Sequence, residues 1–540
     1  MDLEEIVEKY SAQNVLKYGK GNVKSILGKV LMEKPELKKE IKYVIELINK
    51  ELTRLSLLSK DELKKIVSNY NYSYEKKQKD KIQGPVTVRF APEPSGYMHI
   101  GHAKVVFLNK SLVDKYGGNF ILRFDDTNPN KESWEYVKAI KEDLEWLGIS
   151  WKNETYTSDY MEVLYRNALK LIEEGKMYVC LEPKKDIEKM RRYGIPVKSR
   201  NNSIAQNLEL WDKIFSNEFK EGEVSILLKS DLHSKNTALR DPTMFRIIET
   251  PHYKQGDKYI LWPTYDFAIS ILDSMEGVTH AIRSKEYELR GELYYLMLNI
   301  LNLKHKPELI HISRLNLKDG VVSKRYITPL VKEGKVWGWD DPRLSTLRAF
   351  KRKGIVPKAI EQFVLRFGFG KQEKTVTLDM LLKENRKVID PISKRLFAVE
   401  EPVRLKINSN IDTIFVKNHP TNEKLGKRQI KIGNYIFISK KDYELIKNDI
   451  FRLKDFANAK IEGNSIVLVN ESPKKKIQWV SKGFEVKFVY PKPINIENNL
   501  EIKHGIVEEN ARNINIGEII QFERMGFFRK DDEKMFIFSC

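Results

Sequence analysis

At 540 residues with 41% hydrophobic content, the chain divides into roughly three to five domains, each able to bury a core. Its 24 Tyr, 24 Phe and 8 Trp exclude wholesale disorder, and Cys180 and Cys540 alone exclude a disulfide framework or a four-cysteine zinc site. Lys and Arg number 95 against 75 Asp and Glu; a formal charge of +20 points to a polyanionic partner, nucleic acid before a merely lysine-rich surface. No apolar run approaches the ~20 residues of a transmembrane helix, and the start Met1-Asp2-Leu3-Glu4-Glu5 is too acidic for a signal peptide. The expectation is a cytoplasmic protein that does not engage membranes.

Helical spacing is predicted over 3–18, 23–32, 35–55 and 60–68, with Ile41, Val44, Ile45, Ile48 and Leu52 three and four apart. Ser59 with Glu62 three later reads as a helix start, and the charged stretch 70–83 before Gly84-Pro85 as a linker. No chemistry attaches to this N-terminal part. It reads either as an appendage that contacts RNA or docks another protein, or as a stability element.

Val86-Thr87-Val88-Arg89-Phe90 alternates as a strand, and Ala103 onward has helical period. Between them lies Pro92-Glu93-Pro94-Ser95-Gly96-Tyr97-Met98-His99-Ile100-Gly101-His102, a strand-to-helix turn of the kind that binds nucleotides in a doubly wound sheet. Gly101, lacking a Cβ, lets a flat base lie on the backbone. His99 and His102, three apart, share a face and can hydrogen-bond phosphate oxygens as charge builds on them. A small-molecule nucleotidylyltransferase would carry the same His-x-Gly-His.

Residues 119–124 read as a buried parallel strand, followed by Asp125-Asp126-Thr127-Asn128-Pro129, where such sheets place ligand groups, although 126–129 also reads as a helix-capping turn. A helix over 134–147 continues the alternation. From about 160 to 264 it gives way to an α+β interruption, with helices at 160–175 and 186–193 and strands at 224–228 and 245–248. The parallel sheet is expected to resume at 259–268 and to continue through the strand 277–283 into a helix over 284–301. Arg283, closing that strand, needs an anion: a ligand, or else Glu286 or Glu288 nearby. The Gly-bounded loop from Ile312 to Arg325 carries Ser323-Lys324-Arg325. Helices are expected over 357–367 and 377–388. From about 393, short β runs at 403–407, 413–416, 435–438, 465–469 and 484–489 signal β-barrels. Lys474-Lys475-Lys476 with Trp479 reads either as an RNA contact or as solvated surface.

Taken together, these stretches resemble the class I aminoacyl-tRNA synthetases. The histidine turn resembles their His-Ile-Gly-His signature, and the longer Pro-Glu-Pro-Ser-Gly-Tyr form is similar to the glutamyl and glutaminyl members of archaeal and eukaryotic type. The 312–325 loop is similar to their second signature, Lys-Met-Ser-Lys-Ser, with Val321 in place of the first lysine, which leaves Lys324 as the main cation. Lys17-Tyr18 and Ile26-Leu27-Gly28-Lys29-Val30 carry the likeness into the N-terminal part, Gly338–Arg348 resembles the segment joining core to anticodon region, and residues 519–529 resemble the closing strands.

The resemblance implies a multidomain α/β protein: an N-terminal helical appendage and linker over 1–84, a Rossmann-type core in halves 85–159 and 265–314, and an acceptor-stem-binding insertion over 160–264. A signature loop and helical connecting domain follow over 315–392, then anticodon-binding β-barrels over 393–540. It implies ATP, carrying its own Mg²⁺, as nucleotide, L-glutamate as amino acid, and tRNA(Glu) as acceptor, with tRNA(Gln) left open; Cys180 lacks the companions for structural zinc and no metal site is assigned. His99, His102 and Lys324 take the catalytic places, Gly101 and Ser323 join them around ATP, and Arg89, Glu93, Asp125, Tyr265 and Arg283 hold the amino acid, Asp125 through its ammonium. Glutaminyl relatives usually have a cysteine where Arg283 stands and tend to Asn where Ser95 stands, so both residues side with glutamate. The alternatives are a glutaminyl-tRNA synthetase, a nucleotidylyltransferase, which leaves the Lys324 loop and barrels unexplained, and a non-catalytic tRNA-binding relative, which would have shed the signatures.

Overall fold

The computed structural model describes residues 2–540 apart from 20, 35, 38–39, 69, 71–81, 319, 321–323, 474 and 493–499. The chain divides into two compact units, with the boundary in sequence between Gln83 and Gly84. The first comprises α1 (Leu3–Tyr18), α2 (Val23–Glu33), α3 (Ile41–Leu55) and α4 (Lys60–Ser68) around Ile6, Val7, Tyr10, Ile26, Val30, Val44 and Ile48. The helix expected from residue 35 begins only at Ile41, because tighter three-residue turns, Leu37 N–H to Lys34 O and Glu40 N–H to Leu37 O, occupy the approach. Ser59 and Glu62 cap each other at the start of α4. Most of the linker stretch, 71–81, lies outside the described residues.

The second unit is built on β1 (Val86–Phe90), α5 (Ile100–Tyr116), β2 (Gly118–Phe124), α6 (Trp134–Trp146) and β3 (Asn153–Tyr156). An insertion follows: α7 (Met161–Glu173), β4 (Met177–Cys180), α8 (Lys184–Tyr193), α9 (Ile204–Phe215), β5 (Ser225–Leu228), β6 (Thr243–Ile247) and β7 (Leu261–Pro263). The core resumes with α10 (Tyr265–Met275), β8 (His280–Ser284), α11 (Arg290–Ile300) and β9 (Glu308–Ile312). Its sheet is parallel, in the order β3-β2-β1-β8-β9. The chain winds one way from β1 to β3 and the other from β8 to β9. The crevice above β1 and β8 is therefore the switch point where a doubly wound sheet binds ligands.

Two expectations for this region are corrected. The run 259–268 does not reopen the parallel sheet, since β7 pairs antiparallel with β6 and closes the insertion's own four-stranded sheet. The helix expected from 284 starts at Arg290, after a 3₁₀ turn at Lys285–Tyr287 that breaks the α-helical bonding pattern.

Beyond β9, β10 (Leu315–Leu317) pairs in parallel with β11 (Lys374–Val376), and between them lie α12 (Lys324–Lys332), α13 (Leu347–Lys353) and α14 (Pro357–Leu365). The helix α15 (Leu378–Ile389) leads to the C-terminal strands. The seven-stranded sheet there begins and ends on two pieces of one segment, Arg395–Leu396 and Ala398–Glu400, and so curls back on itself. The six-stranded sheet rejoins its edge strand Tyr435–Ser439 through a bridge from Phe437 to Val480, with Phe437 N–H to Val480 O at 2.7 Å. Both barrels read from the β runs are thus present, and closure removes exposed edges. Trp479, however, is not an RNA platform: it is 0% exposed in the barrel core, its indole N–H bonded to Lys454 O at 2.9 Å. It packs with Ile477 and Val480 in that core, just past the strand Lys475–Ile477. Lys475 donates to Leu445 O, and Lys474 lies outside the described residues. Among the described residues no helix is long and apolar enough to cross a membrane.

Candidate active site

The turn after β1 ends with His99 as N-cap of α5. Its Nδ1 accepts the Gly101 N–H at 3.0 Å, and His102 Nδ1 accepts the His99 N–H at 3.1 Å. Both rings therefore carry their proton on Nε2 and present it as a donor. The rings lie 4.0 Å apart, and burial pushes His99 down to about 4 and His102 well below the usual imidazole value. At neutral pH they are uncharged donors. Gly101 has a steric reason to be glycine: a Cβ there would sit 2.8 Å from His99 Cε1. On the far side, Thr346 bridges His99, and the Leu347 N–H bonds Met98 O at 2.8 Å, pinning the turn to the start of α13.

A cavity of about 260 Å³ opens over the carboxyl ends of β1 and β2, with Glu93, Asp125, Thr127, Glu132, Arg246 and Tyr265 in its wall. The two aspartates after β2 behave differently. Asp126 accepts from Ser158 N–H and Oγ, both at 2.8 Å, and from Tyr253 Oη at 2.9 Å, so it ties the turn to its neighbours; burial pushes it up to about 7. Asp125 accepts from Thr157 Oγ1 at 3.1 Å and Arg123 Nε at 3.3 Å through Oδ1, while its buried Oδ2 has no partner among the described residues.

Beneath them lies a charge network. Asp273, on α10, accepts from Arg89 Nε at 2.9 Å and Arg123 Nη2 at 2.7 Å, and Arg123 Nη1 pairs with Glu276 at 2.7 Å. Burial alone would raise the Asp273 carboxyl, but the two arginines hold it below its usual value. Arg89 also donates to Ile282 O at 3.1 Å.

Arg283 differs. It is 4% exposed, yet none of its three guanidinium nitrogens has a hydrogen-bond partner among the described residues. Tyr265, Tyr287 and Tyr294 surround its guanidinium carbon at 5.1, 5.3 and 5.4 Å from their ring centres. Glu286 pairs instead with Arg314, and Glu288 with Lys371, so neither neighbouring acid is its counterion.

Lys324 opens α12, but its side chain and residues 321–323, Ser323 among them, lie outside the described residues. The structure thus brings together His99, Gly101 and His102 on one turn, and Glu93, Asp125 and Tyr265 on one cavity beside Arg283. Arg89 stands below in the ion network. Four residues of the site were not singled out from sequence. Asp273 had a signal, an acid directly after the largely apolar run Phe267–Leu272. Arg246 and Glu132 had none at short range. Arg314, whose charge acts on His99, stands one residue after Ser313 at the entry to the second signature loop. Among the described residues no group of three or more His, Cys, Asp and Glu is arranged to hold a metal ion.

Residues 85–391 match the tRNA synthetases class I (E and Q) catalytic domain, and 393–474 and 476–531 match two anti-codon binding domains of the same class. A glutamate–tRNA ligase of Nitrosopumilus maritimus is 40% identical, over 100% of this chain and 99% of that one. One from Pyrococcus abyssi is 36% identical, over 98% of each. Among solved structures, a glutamate tRNA ligase from Elizabethkingia meningosepticum in complex with its amino acid aligns at 20% identity and a TM-score of 0.42, covering 57% of this chain and 70% of that one.

Proposed function

The chain belongs to the class I tRNA synthetases of the glutamate and glutamine type, and from that premise we propose how its own residues join glutamate to tRNA. It is an ATP-dependent glutamate–tRNA ligase. The glutamate α-carboxylate attacks the α-phosphorus of ATP and expels pyrophosphate, leaving glutamyl-adenylate. A hydroxyl of the terminal tRNA adenosine then attacks the acyl carbon and expels AMP.

His99 and His102 offer Nε2–H donors to phosphate oxygens, and their neutrality means that they gain their full worth only as negative charge builds on those oxygens. Lys324, next to Ser323 in the sequence, supplies the cation of the second signature loop, Gly101 leaves room for the base, and Mg²⁺ travels with the nucleotide. Asp125 receives the ammonium on its unpartnered Oδ2, with Glu93, Tyr265 and the remaining nitrogen of Arg89 around the amino acid. The insertion is read as the seat of the acceptor stem, the N-terminal unit as a docking module for tRNA or another protein, and the cytoplasm as the compartment.

One observation carries the choice of glutamate: a buried guanidinium with no hydrogen-bond partner among the described residues, at the end of a core strand beside the cavity. Such a charge is costly unless an anion arrives, and a carboxylate matches its fork where a neutral amide does not. Arg283→Cys is expected to lower kcat/KM for glutamate at least ~10²-fold, about 2.7 kcal/mol of transition-state binding, while glutamine loses far less. An undiminished preference for glutamate in that variant would overturn the assignment. Charging purified tRNA(Glu) and tRNA(Gln) with labelled glutamate decides whether the second tRNA is also an acceptor; tRNA(Glu) is the expected one.

A further inference from the structure

We propose that Arg246 binds the α-carboxylate of the amino acid, the group that attacks ATP. The proposal rests on the glutamate reading above and adds the third of the three ionic contacts that reading requires.

Arg246 comes from β6, a strand of the insertion rather than of the parallel core, and reaches the cavity wall. Its Nη1 donates to Pro263 O at 2.9 Å and its Nη2 to Thr127 O at 3.2 Å. Both acceptors are neutral main-chain carbonyls, and among the described residues it forms no ion pair. The acids that act on it, Glu132, Glu93 and Glu221 in that order, do so from beyond ion-pair contact. Glu132 is 7% exposed and accepts the Asn128 N–H; burial pushes its carboxyl up to about 8, so it brings little negative charge at neutral pH. Half-buried Arg246 is thus, like Arg283, a cation facing a ligand cavity without an anion of its own.

Glutamate carries three ionised groups. With the side-chain carboxylate at Arg283 and the ammonium at Asp125, the α-carboxylate remains, and it leaves the same carbon as the ammonium. It must therefore lie beside Asp125. Arg246 holds Thr127 O, two residues along the same turn, and shares the cavity wall with Asp125. Two guanidinium groups and one carboxylate in the protein face two carboxylates and one ammonium in the substrate. Such a contact engages one carboxylate oxygen and leaves the other to approach phosphorus.

The test uses the full chain with tRNA present and compares glutamate with glutamol, in which the α-carboxylate is replaced by CH₂OH. Arg246→Gln is expected to weaken glutamate binding roughly 10–10²-fold and to leave glutamol binding unchanged, abolishing the wild-type preference for the acid. Arg246→Lys should restore part of the loss. Because Arg246 faces the α-carboxylate, Arg246→Gln should weaken glutamate and glutamine by the same factor, whereas Arg283→Cys changes their ratio; failure here and failure of the glutamate reading are therefore distinguishable. Equal losses for glutamate and glutamol, or no loss for glutamate, would show that Arg246 only braces the Thr127 carbonyl and would overturn the proposal.

Discussion

Arg89 and Arg123 stand on adjacent strands and aim at one carboxylate, Asp273; Arg283, on the strand at the other side of β1, aims at none among the described residues. All three are at least nine-tenths buried. The difference separates scaffold from receptor, Arg89 belonging chiefly to the scaffold and keeping one nitrogen for the amino acid. A buried guanidinium whose anion is part of the fold holds strands and helix in place, and it costs little once paired and hydrogen-bonded. One whose nitrogens are bare, held off from collapse only by tyrosine rings, is a site waiting for an anion from outside.

Breaking the scaffold pair should have the largest effect. Asp273→Ala leaves two buried arginines without their shared counterion, although Arg123 keeps Glu276. A loss of about 3–5 kcal/mol is expected, read as a lower urea midpoint. A loss below ~1 kcal/mol would mean that the network is hydrated and that the contrast with Arg283 is false. Arg283→Met should cost less than ~1 kcal/mol of stability or even add some, because it removes a buried charge that the fold does not satisfy. Glutamate charging should nevertheless collapse in the same protein. A variant as unstable as Asp273→Ala would place Arg283 with the scaffold.

Much of this contrast was legible in the residues before any geometry. Arg283 announced itself as an arginine closing an apolar strand, and the choice between ligand and Glu286 or Glu288 was left to distance. The strand–turn–helix at 86–116 was readable because alternation, a Pro-Gly turn and helical period follow one another within one local window. What escaped is what depends on pairing over long separations. The segment 261–263 looks like any buried strand, and only its partner β6 assigns it to the insertion. Trp479 looked exposed beside its lysines because barrel closure, which buries it, joins residues 437 and 480. Asp273 was overlooked although an acid directly after a largely apolar helical run demands a buried cation. The helix α9 was missed despite a Ser203–Gln206 capping box that the sequence displays.

The histidines sharpen the comparison, since they face the same problem as Arg283 and solve it differently. An imidazole can shed its proton when burial makes charge costly, whereas a guanidinium cannot. His99 is pushed down to about 4 and His102 well below its usual value, chiefly by burial, with Arg314 adding to the effect on His99. In the unfolded chain both return to about 6.5. Between pH 6.5 and 4 the unfolded state therefore binds protons that the folded state refuses, so their contribution to stability is complete above about 6.5 and is lost progressively as pH falls toward 4. Each histidine adds up to about 1.4 kcal/mol per pH unit to that slope. Replacing both with Gln should flatten the stability profile between pH 6.5 and 5, where most carboxylates are already ionised. Nuclear magnetic resonance titration of the two rings should show no protonation near pH 6.5. If either ring titrates there, it is charged in the folded protein at that pH, and catalysis by uncharged donors gives way to a second cation beside Lys324.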